Sequence, residues 1–164
     1  MITIYKNGDL HFQNKIYKCA LGKNGIKKKK QEGDGCTPEG IYSLGPLYYR
    51  SDRIKKLKTY FKPIPLEKDM FWSDYPQSEH YNKLIRFKDS SCESLYKEDH
   101  TYDIILVINY NIFPIIKGRG SAIFLHLAKN DFSPTSGCIA LKKICLLKIL
   151  ENLDIKDRIK IVGD

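Results

Sequence analysis

No run of 18 apolar residues, no Cys-x-x-Cys pair and no phosphate-binding Gly-Lys-Ser/Thr motif occurs in the sequence. The first absence excludes a transmembrane helix. The second, together with the scattered positions of His80, Cys92 and His100, argues against a zinc site, so we expect no metal. The absence of a Gly-Lys-Ser/Thr motif argues against phosphate binding by the glycine-rich residues 32–40, and the acidic side chains among them would also repel a phosphate. We therefore expect these residues to have a structural role.

The N-terminal residues MITIYKNGDL lack the charged region and the long apolar stretch of a secretory signal. We therefore expect the sequence as given to be soluble and to carry no export signal. Its 164 residues, 42% of them hydrophobic, suit one domain with a single core. We expect residues 1–164 to form that domain and to act as a monomer.

The chain is basic, with 28 Lys and Arg against 19 Asp and Glu and a formal net charge of +9. Such a balance favours polyanions, acidic polymers or anionic membrane surfaces as neighbours. The lysines are spread along the chain, and no aromatic and basic recognition signature is interleaved among them. We therefore expect no nucleic-acid partner, and a basic nucleic-acid-binding module is the less favoured alternative.

Short runs of β-branched and aromatic residues indicate a mostly-β fold. Residues 102–109 form a near-continuous apolar run, which predicts a central strand buried on both faces and paired near a strand at residues 123–127. Leucine and isoleucine then recur every three residues over 142–153, which predicts one helix. Further strands are expected at residues 2–5, 10–12, 16–21, 41–44 and 158–162.

Residues 48–98 show no clear periodicity but contain many aromatic residues. Linkers rarely hold so many aromatics, so we expect a long irregular insertion that walls a substrate groove. Tyr81 and Asn82 are candidates for lining that groove, and so is Trp72, although core packing is the favoured alternative for its large ring. Arg119 is a further candidate, since its guanidinium suits a substrate carboxylate, with a surface salt bridge as the favoured alternative.

The segment GRGSAIFLHLAKNDFSPTSGCIAL, residues 118–141, carries the residues with chemical potential. Cys138 and His126 can meet only if the loop between them folds back between neighbouring strands, and a thiol beside an imidazole becomes a nucleophilic thiolate. Gly137 permits a tight turn and brings its N–H and that of Cys138 near an attacked carbonyl oxygen. Ser136 is placed to orient the imidazole or the loop. A helix start after Cys138 would further favour the thiolate.

The structural alternative for this pair is that both residues are inert, because free cysteines are commonly buried and a lone histidine at a strand end is often a hydrogen-bonded structural residue. The cysteine count favours chemistry. The chain has an odd number of cysteines, five, so at least one stays unpaired in any monomer.

The sequence contains the segments EGDGCTPEG (32–40), FWSDYP (71–76), YN (81–82), NYN (109–111) and GRGSAIFLH (118–126), beside SGCIAL (136–141). These segments resemble a compact bacterial branch of the L,D-transpeptidase (YkuD-like) catalytic domain, in the same order and over nearly the whole chain. The resemblance implies that Cys138 is the nucleophile and His126 the base. Two positions depart from the family pattern, since Ser136 stands where a His commonly precedes Gly-Cys, and Ala140 where Arg or Asn is frequent.

The resemblance also implies a β-sandwich with one principal C-terminal helix, and a reaction that uses no external cofactor. Cys138 would attack an L-centre carbonyl of a peptidoglycan stem peptide, release the terminal residue and pass the acyl group to an amine of a second stem. Water in place of the amine would make the chain an L,D-carboxypeptidase or amidase, and this alternative is open. The implied substrate lies in the periplasm or cell envelope, in conflict with the missing export signal.

Overall fold

The computed structural model describes residues 1–28 and 31–163. Within that part of the chain it contains fourteen β-strands and one helix. The elements are β1 (Ile2–Ile4), β2 (Asp9–Phe12), β3 (Lys15–Ala20), β4 (Ile26–Lys27), β5 (Thr37–Pro38), β6 (Gly40–Tyr49), β7 (Pro63–Pro65), β8 (Phe71–Ser73), β9 (Leu84–Ile85), β10 (Cys92–Ser94), β11 (Ile104–Ile108), β12 (Phe124–Leu127), β13 (Ile139–Leu141), α1 (Lys143–Leu150) and β14 (Arg158–Ile161).

The principal sheet closes on itself. Its strands follow the order β11-β12-β13-β3-β2-β1-β14-β6-β7, and β6 also pairs with β11. Two strands change partners along their length: β6 pairs with β14 through residues 40–43 and with β11 and β7 beyond them, while β3 pairs with β2 and then with β13. The mostly-β prediction with one principal helix is confirmed. The pairings describe a closed circuit, so two separate facing sheets, as in the expected sandwich, do not follow from them.

Strand β11 separates two hydrophobic clusters because successive side chains of a strand point to opposite faces. Ile104, Leu106 and Ile108 belong to the larger cluster, with apolar residues of β1, β12, β13 and α1 such as Leu125 and Leu127. Ile105 and Val107 belong to a smaller cluster on the other face. All five residues of β11 are buried, which confirms the prediction of a central strand buried on both faces and paired with the strand near residues 123–127.

The smaller cluster is covered by the segment predicted to be irregular. Residues 48–98 contain a three-stranded sheet in the order β10-β8-β9, so this segment is more regular than expected. Its strands have only two or three residues each, too few for a period to be visible in the sequence. The sheet carries Trp72 into the smaller cluster, where its ring meets that of Phe124 edge-on at 5.2 Å between centroids.

Helix α1 is shorter than the predicted 142–153. It begins at Lys143 and ends at Leu150, and buries Leu146, Ile149 and Leu150. Each such side chain contributes about 1.5–3 kcal/mol through burial. At eight residues, this helix is far too short to cross a bilayer, and it is the only helix in the part of the chain that the structure describes.

Candidate active site

His126 and Cys138 are brought together by the parallel pairing of β12 and β13. His126 lies opposite Ala140, two positions beyond Cys138, so the two side chains share one face of the sheet. Both residues line a cleft of about 590 Å³. Each is only 8% exposed, so a substrate reaches them through this cleft. The loop between them folds back between neighbouring strands, as the sequence predicts.

The Cys138 thiol lies between two backbone groups of the segment that enters β12. Its Sγ donates to the carbonyl oxygen of Ala122 at 3.2 Å and accepts from the N–H of Phe124 at 3.3 Å. The carbonyl holds the neutral thiol, whereas the N–H favours the thiolate, because a donor to an anion stabilises its charged form. The sulfur therefore has a fixed partner in each protonation state.

The His126 ring is fixed in the tautomer that a general base needs. Its Nδ1 lies 2.9 Å from the carbonyl oxygen of Leu127, which only accepts, so Nδ1 carries the proton and the lone pair is on Nε2. Burial lowers the pKa of His126 below its ordinary value, and the Leu127 carbonyl and the Glu93 carboxylate oppose that shift. The imidazole is thus neutral and able to accept a proton at pH 7.

Three residues that sequence reasoning missed form the cleft wall beside His126. The Tyr102 hydroxyl donates to Glu93 at 2.7 Å, and the Lys97 ammonium lies 3.0 Å from the same carboxylate oxygen. The Tyr102 ring meets the His126 ring edge-on at 5.1 Å. Burial raises the pKa of Tyr102 well above its usual range, with further contributions from Cys138 and Glu93, so the phenol is neutral. No local pattern separates Tyr102 from the apolar run that follows it.

The turn before Cys138 is held by Thr135, another residue missed in the sequence. The Thr135 hydroxyl donates to the Cys138 carbonyl oxygen at 2.6 Å and accepts from the Gly137 N–H at 3.1 Å. Gly137 has φ +142°, and a Cβ there would lie 2.8 Å from the Cys36 carbonyl oxygen, so only glycine fits. The predicted tight turn is present. The Gly137 N–H is bound within the turn, however, and is not directed at a substrate oxygen as expected.

Ser136 is exposed and lines the cleft beside Cys138. Within the described part of the chain, no hydrogen bond joins its hydroxyl to the His126 ring, whose Nδ1 instead faces a backbone carbonyl. In this structure, no hydrogen bond among the described residues therefore supports the predicted role of Ser136 in orienting the imidazole. Its place at the cleft is compatible with contact to a substrate.

The four residues predicted to bind substrate lie outside the cleft lining, and this corrects the expectation. Trp72, Tyr81 and Asn82 are at most 5% exposed. Trp72 packs in the smaller cluster, which agrees with core packing, the favoured alternative for its ring. The Tyr81 hydroxyl donates to the carboxylate of Glu32. Arg119 is exposed but does not border the cleft. Buried aromatic and amide groups look the same in a sequence as groove residues, so no signal separates the two.

The cleft differs in charge from the rest of the chain. Although the chain carries +9, four carboxylates and two ammonium groups border the cleft. The excess of acid favours a cationic group on the bound molecule. These residues are Glu32, Asp74, Glu93 and Asp99, with Lys97 and Lys129.

The predicted contribution of a helix start to the Cys138 thiolate is wrong. Strand β13 intervenes, and α1 begins at Lys143, beyond its far end. Three strand residues span about 10 Å, and the field of a helix terminus falls off within about one turn. The Phe124 N–H, not the helix, is the group that favours the thiolate.

The similarity of this chain to a known family extends over all the strands that hold His126 and Cys138. The family model described as the L,D-transpeptidase catalytic domain (YkuD) matches residues 1–161. The match runs from before β1 to the end of β14 and so includes His126, Cys138 and the strands that hold them. No curated protein matches the chain.

Proposed function

Because the chain belongs to the L,D-transpeptidase catalytic domain family, we propose that it is a cysteine acyltransferase that cross-links peptidoglycan stem peptides. The observation that carries the proposal is the placement of Cys138 and a neutral His126 on one face of adjacent strands, both opening into one cleft. A nucleophile and a base in that relation suit acyl transfer through a covalent intermediate.

In the first step, Cys138 attacks the carbonyl carbon of an L-centre in a donor stem, commonly meso-diaminopimelate followed by D-Ala. His126 Nε2 accepts the thiol proton and passes it to the departing amine. The S–C bond forms, the C–N bond to the terminal residue breaks, and a thioester remains. The Phe124 N–H supports the sulfur while it is anionic, since it lies 3.3 Å from Sγ.

In the second step, an amine of another stem attacks the thioester carbon. The amine loses a proton to His126, a C–N bond forms, and the Cys138 thiolate leaves and is reprotonated. The carboxylate excess of the cleft supports this step, because an acceptor stem arrives as an ammonium group and is attracted to it. The ammonium group releases one proton to solvent to become the attacking amine, and His126 takes the second proton during the attack. The burial of His126 supports it as well, because a neutral imidazole can accept the proton.

Hydrolysis by the same site is the second candidate function. Water attacking the thioester would release a trimmed stem, as an L,D-carboxypeptidase or amidase does. The cleft favours this candidate through its polar wall, where the Glu93 carboxylate, the Lys97 ammonium and the Tyr102 hydroxyl stand beside His126. Transpeptidation and hydrolysis proceed through the same steps as far as the thioester and differ only in the group that attacks it.

The experiment is incubation of the protein with purified muropeptides, followed by mass spectrometry. We expect cross-linked dimers, absent with Cys138→Ala. Trimmed stems without dimers would instead support the hydrolase. Neither product, together with salt-sensitive retention on DNA, would reject both and favour a nucleic-acid-binding module.

We propose that the protein works at the periplasmic or envelope side of the membrane, because its proposed substrate lies there. Fractionation of cells that make the full-length natural product tests this location. We expect the protein with the envelope or periplasmic fraction. Recovery from the cytosol alone would contradict the proposal.

A further inference from the structure

The Asn82 side chain is a buried junction behind the cleft. Its Oδ1 accepts from the Trp72 indole N–H at 2.9 Å and from the Ala122 N–H at 3.1 Å. Its Nδ2 donates to the carbonyl oxygens of Tyr110 at 3.2 Å and Asn111 at 2.8 Å. A side-chain amide has two donor and two acceptor positions, and all four are used. Asn82 therefore has no group left for a substrate.

Ala122 connects this junction to the nucleophile. Ala122 has φ +52°, a left-handed conformation that costs energy for a residue with a Cβ and persists only where its surroundings impose it. The Asn82 Oδ1 holds the Ala122 N–H, and the Ala122 carbonyl oxygen accepts from the Cys138 Sγ at 3.2 Å. One residue thus joins the Asn82 amide to the thiol.

The Asn82 backbone is suited to the same task. Its φ is +57°, a conformation that asparagine tolerates better than most residues. Its N–H donates to the carbonyl oxygen of Ser73 at 2.8 Å, which ties it to β8, the strand that carries Trp72. The Asn82 backbone is therefore fixed by the three-stranded sheet, while its side chain holds Ala122, in the segment that precedes β12.

We propose that Asn82 is a positioning residue that holds the Ala122 peptide in the conformation whose carbonyl orients the Cys138 thiol. The proposal rests on the proposed acyltransferase function and adds a residue to it. It replaces the role predicted from the sequence, in which Asn82 contacts substrate. The two roles differ in the kinetic constant that they affect, since positioning acts on the rate at saturation and substrate contact acts on binding.

The test is single-turnover acylation of Asn82→Gly with a stem peptide. Glycine keeps the left-handed backbone and removes the amide. We expect the saturating rate to fall at least about tenfold, as misplaced reacting groups do, with the half-saturating concentration unchanged. A raised half-saturating concentration with an unchanged saturating rate would overturn the proposal in favour of substrate contact.

The matched control is Asn111→Gly. Asn111 also has a left-handed backbone, with φ +53°, and its side chain makes three hydrogen bonds in the neighbouring loop, to Ile116 and Gly120. We expect its saturating rate to stay within about threefold of the parent rate, because its side chain does not hold Ala122. An equal loss in both glycine variants would mean general loosening and would overturn the proposal.

Asn82→Asp keeps the inference testable if Asn82→Gly does not fold. Its carboxyl retains an oxygen that can accept from Ala122 and Trp72, and burial among carbonyl oxygens raises the pKa of a carboxyl, so the group is protonated and donates as well. We expect its saturating rate to lie within about fivefold of the parent rate. If both variants fold, an equal fall of the saturating rate in Asn82→Asp and Asn82→Gly would overturn the proposal. If only Asn82→Asp folds, a fall of its saturating rate beyond tenfold would overturn it.

Alkylation of Cys138 by iodoacetamide, followed by peptide mass mapping, separates this inference from the proposed function because it needs no stem peptide. We expect alkylation at pH 7 to slow at least about tenfold in Asn82→Gly and to remain unchanged in Asn111→Gly. The reagent attacks the thiolate, and a thiol that is no longer held in place passes its proton to His126 less readily. Unchanged alkylation in Asn82→Gly would overturn the positioning role. Failure of the parent protein to acylate, with this pattern intact, would reject only the stem-peptide substrate.

Discussion

His126 lies opposite Ala140 in the parallel pair β12–β13, which places the imidazole on the same face as the Cys138 thiol, two residues before Ala140. The register fixes this relation, because a shift by one residue would turn one of the two side chains into the larger hydrophobic cluster. The apolar residues on the opposite face of both strands, Leu125, Leu127, Ile139 and Leu141, stabilise that register by their burial. The hydrophobic core thus determines the geometry of the proposed chemistry.

His126→Gln should lower the rate of acylation about 10²- to 10⁴-fold, the usual cost of removing a positioned general base. Ser136→Ala should cost about tenfold or less, since it removes at most one hydrogen bond of roughly 1 kcal/mol. Single-turnover acylation measures both. Equal losses in the two variants would make Ser136 part of the proton relay and contradict the two-residue description.

Thr135→Val should slow acylation about tenfold and lower the free energy of unfolding by about 1–3 kcal/mol, because the partly buried hydroxyl donates to Cys138 and accepts from Gly137. Thr135→Ser keeps the hydroxyl and serves as the control, with both quantities near those of the parent. Urea unfolding and single-turnover kinetics provide the measurements. A valine variant with parent activity would show that this turn does not need the hydroxyl to position the nucleophile.

The lowered pKa of His126 predicts an acid limb of the acylation rate below about pH 6.5, the ordinary value for histidine. It also predicts a stability effect of defined sign. The unfolded chain binds a proton at His126 before the native chain does, so this residue makes stability fall as pH drops below that ordinary value. Unfolding curves at pH 7.5 and 5.5 should differ less for His126→Gln than for the parent. An equal pH dependence in both proteins would contradict the assignment.

Much of this site can be read from the sequence because it depends on local patterns. Apolar runs of strand length predict the strands around His126, and Gly137 predicts a tight turn before Cys138. The φ of Gly137 and the contact that a Cβ would make there agree with the expected turn. Such features follow from periodicity and from the special conformations of glycine.

What the sequence does not reveal is which distant side chains meet. Glu93 and Tyr102 are nine residues apart and come together beside His126 across the loop that joins β10 to β11. Asn82 and Ala122 are forty residues apart and share one hydrogen bond. In a sequence, a buried asparagine whose amide is fully hydrogen-bonded looks the same as one that lines a groove. The predicted substrate contact of Asn82 can therefore be revised only when its four partners are known.

Intact-protein mass spectrometry after acid quenching of a reaction with a stem tetrapeptide tests the thioester at Cys138 most directly. We expect an added mass equal to that of the tetrapeptide minus the released terminal amino acid, located on the Cys138 fragment and absent in Cys138→Ala. Two controls should keep the adduct: Cys92→Ala, which alters the other cysteine of the cleft, and Cys19→Ala, whose buried thiol has a pKa raised to about 12. An adduct that persists in Cys138→Ala, or that maps to Cys92, would contradict the assignment of the nucleophile.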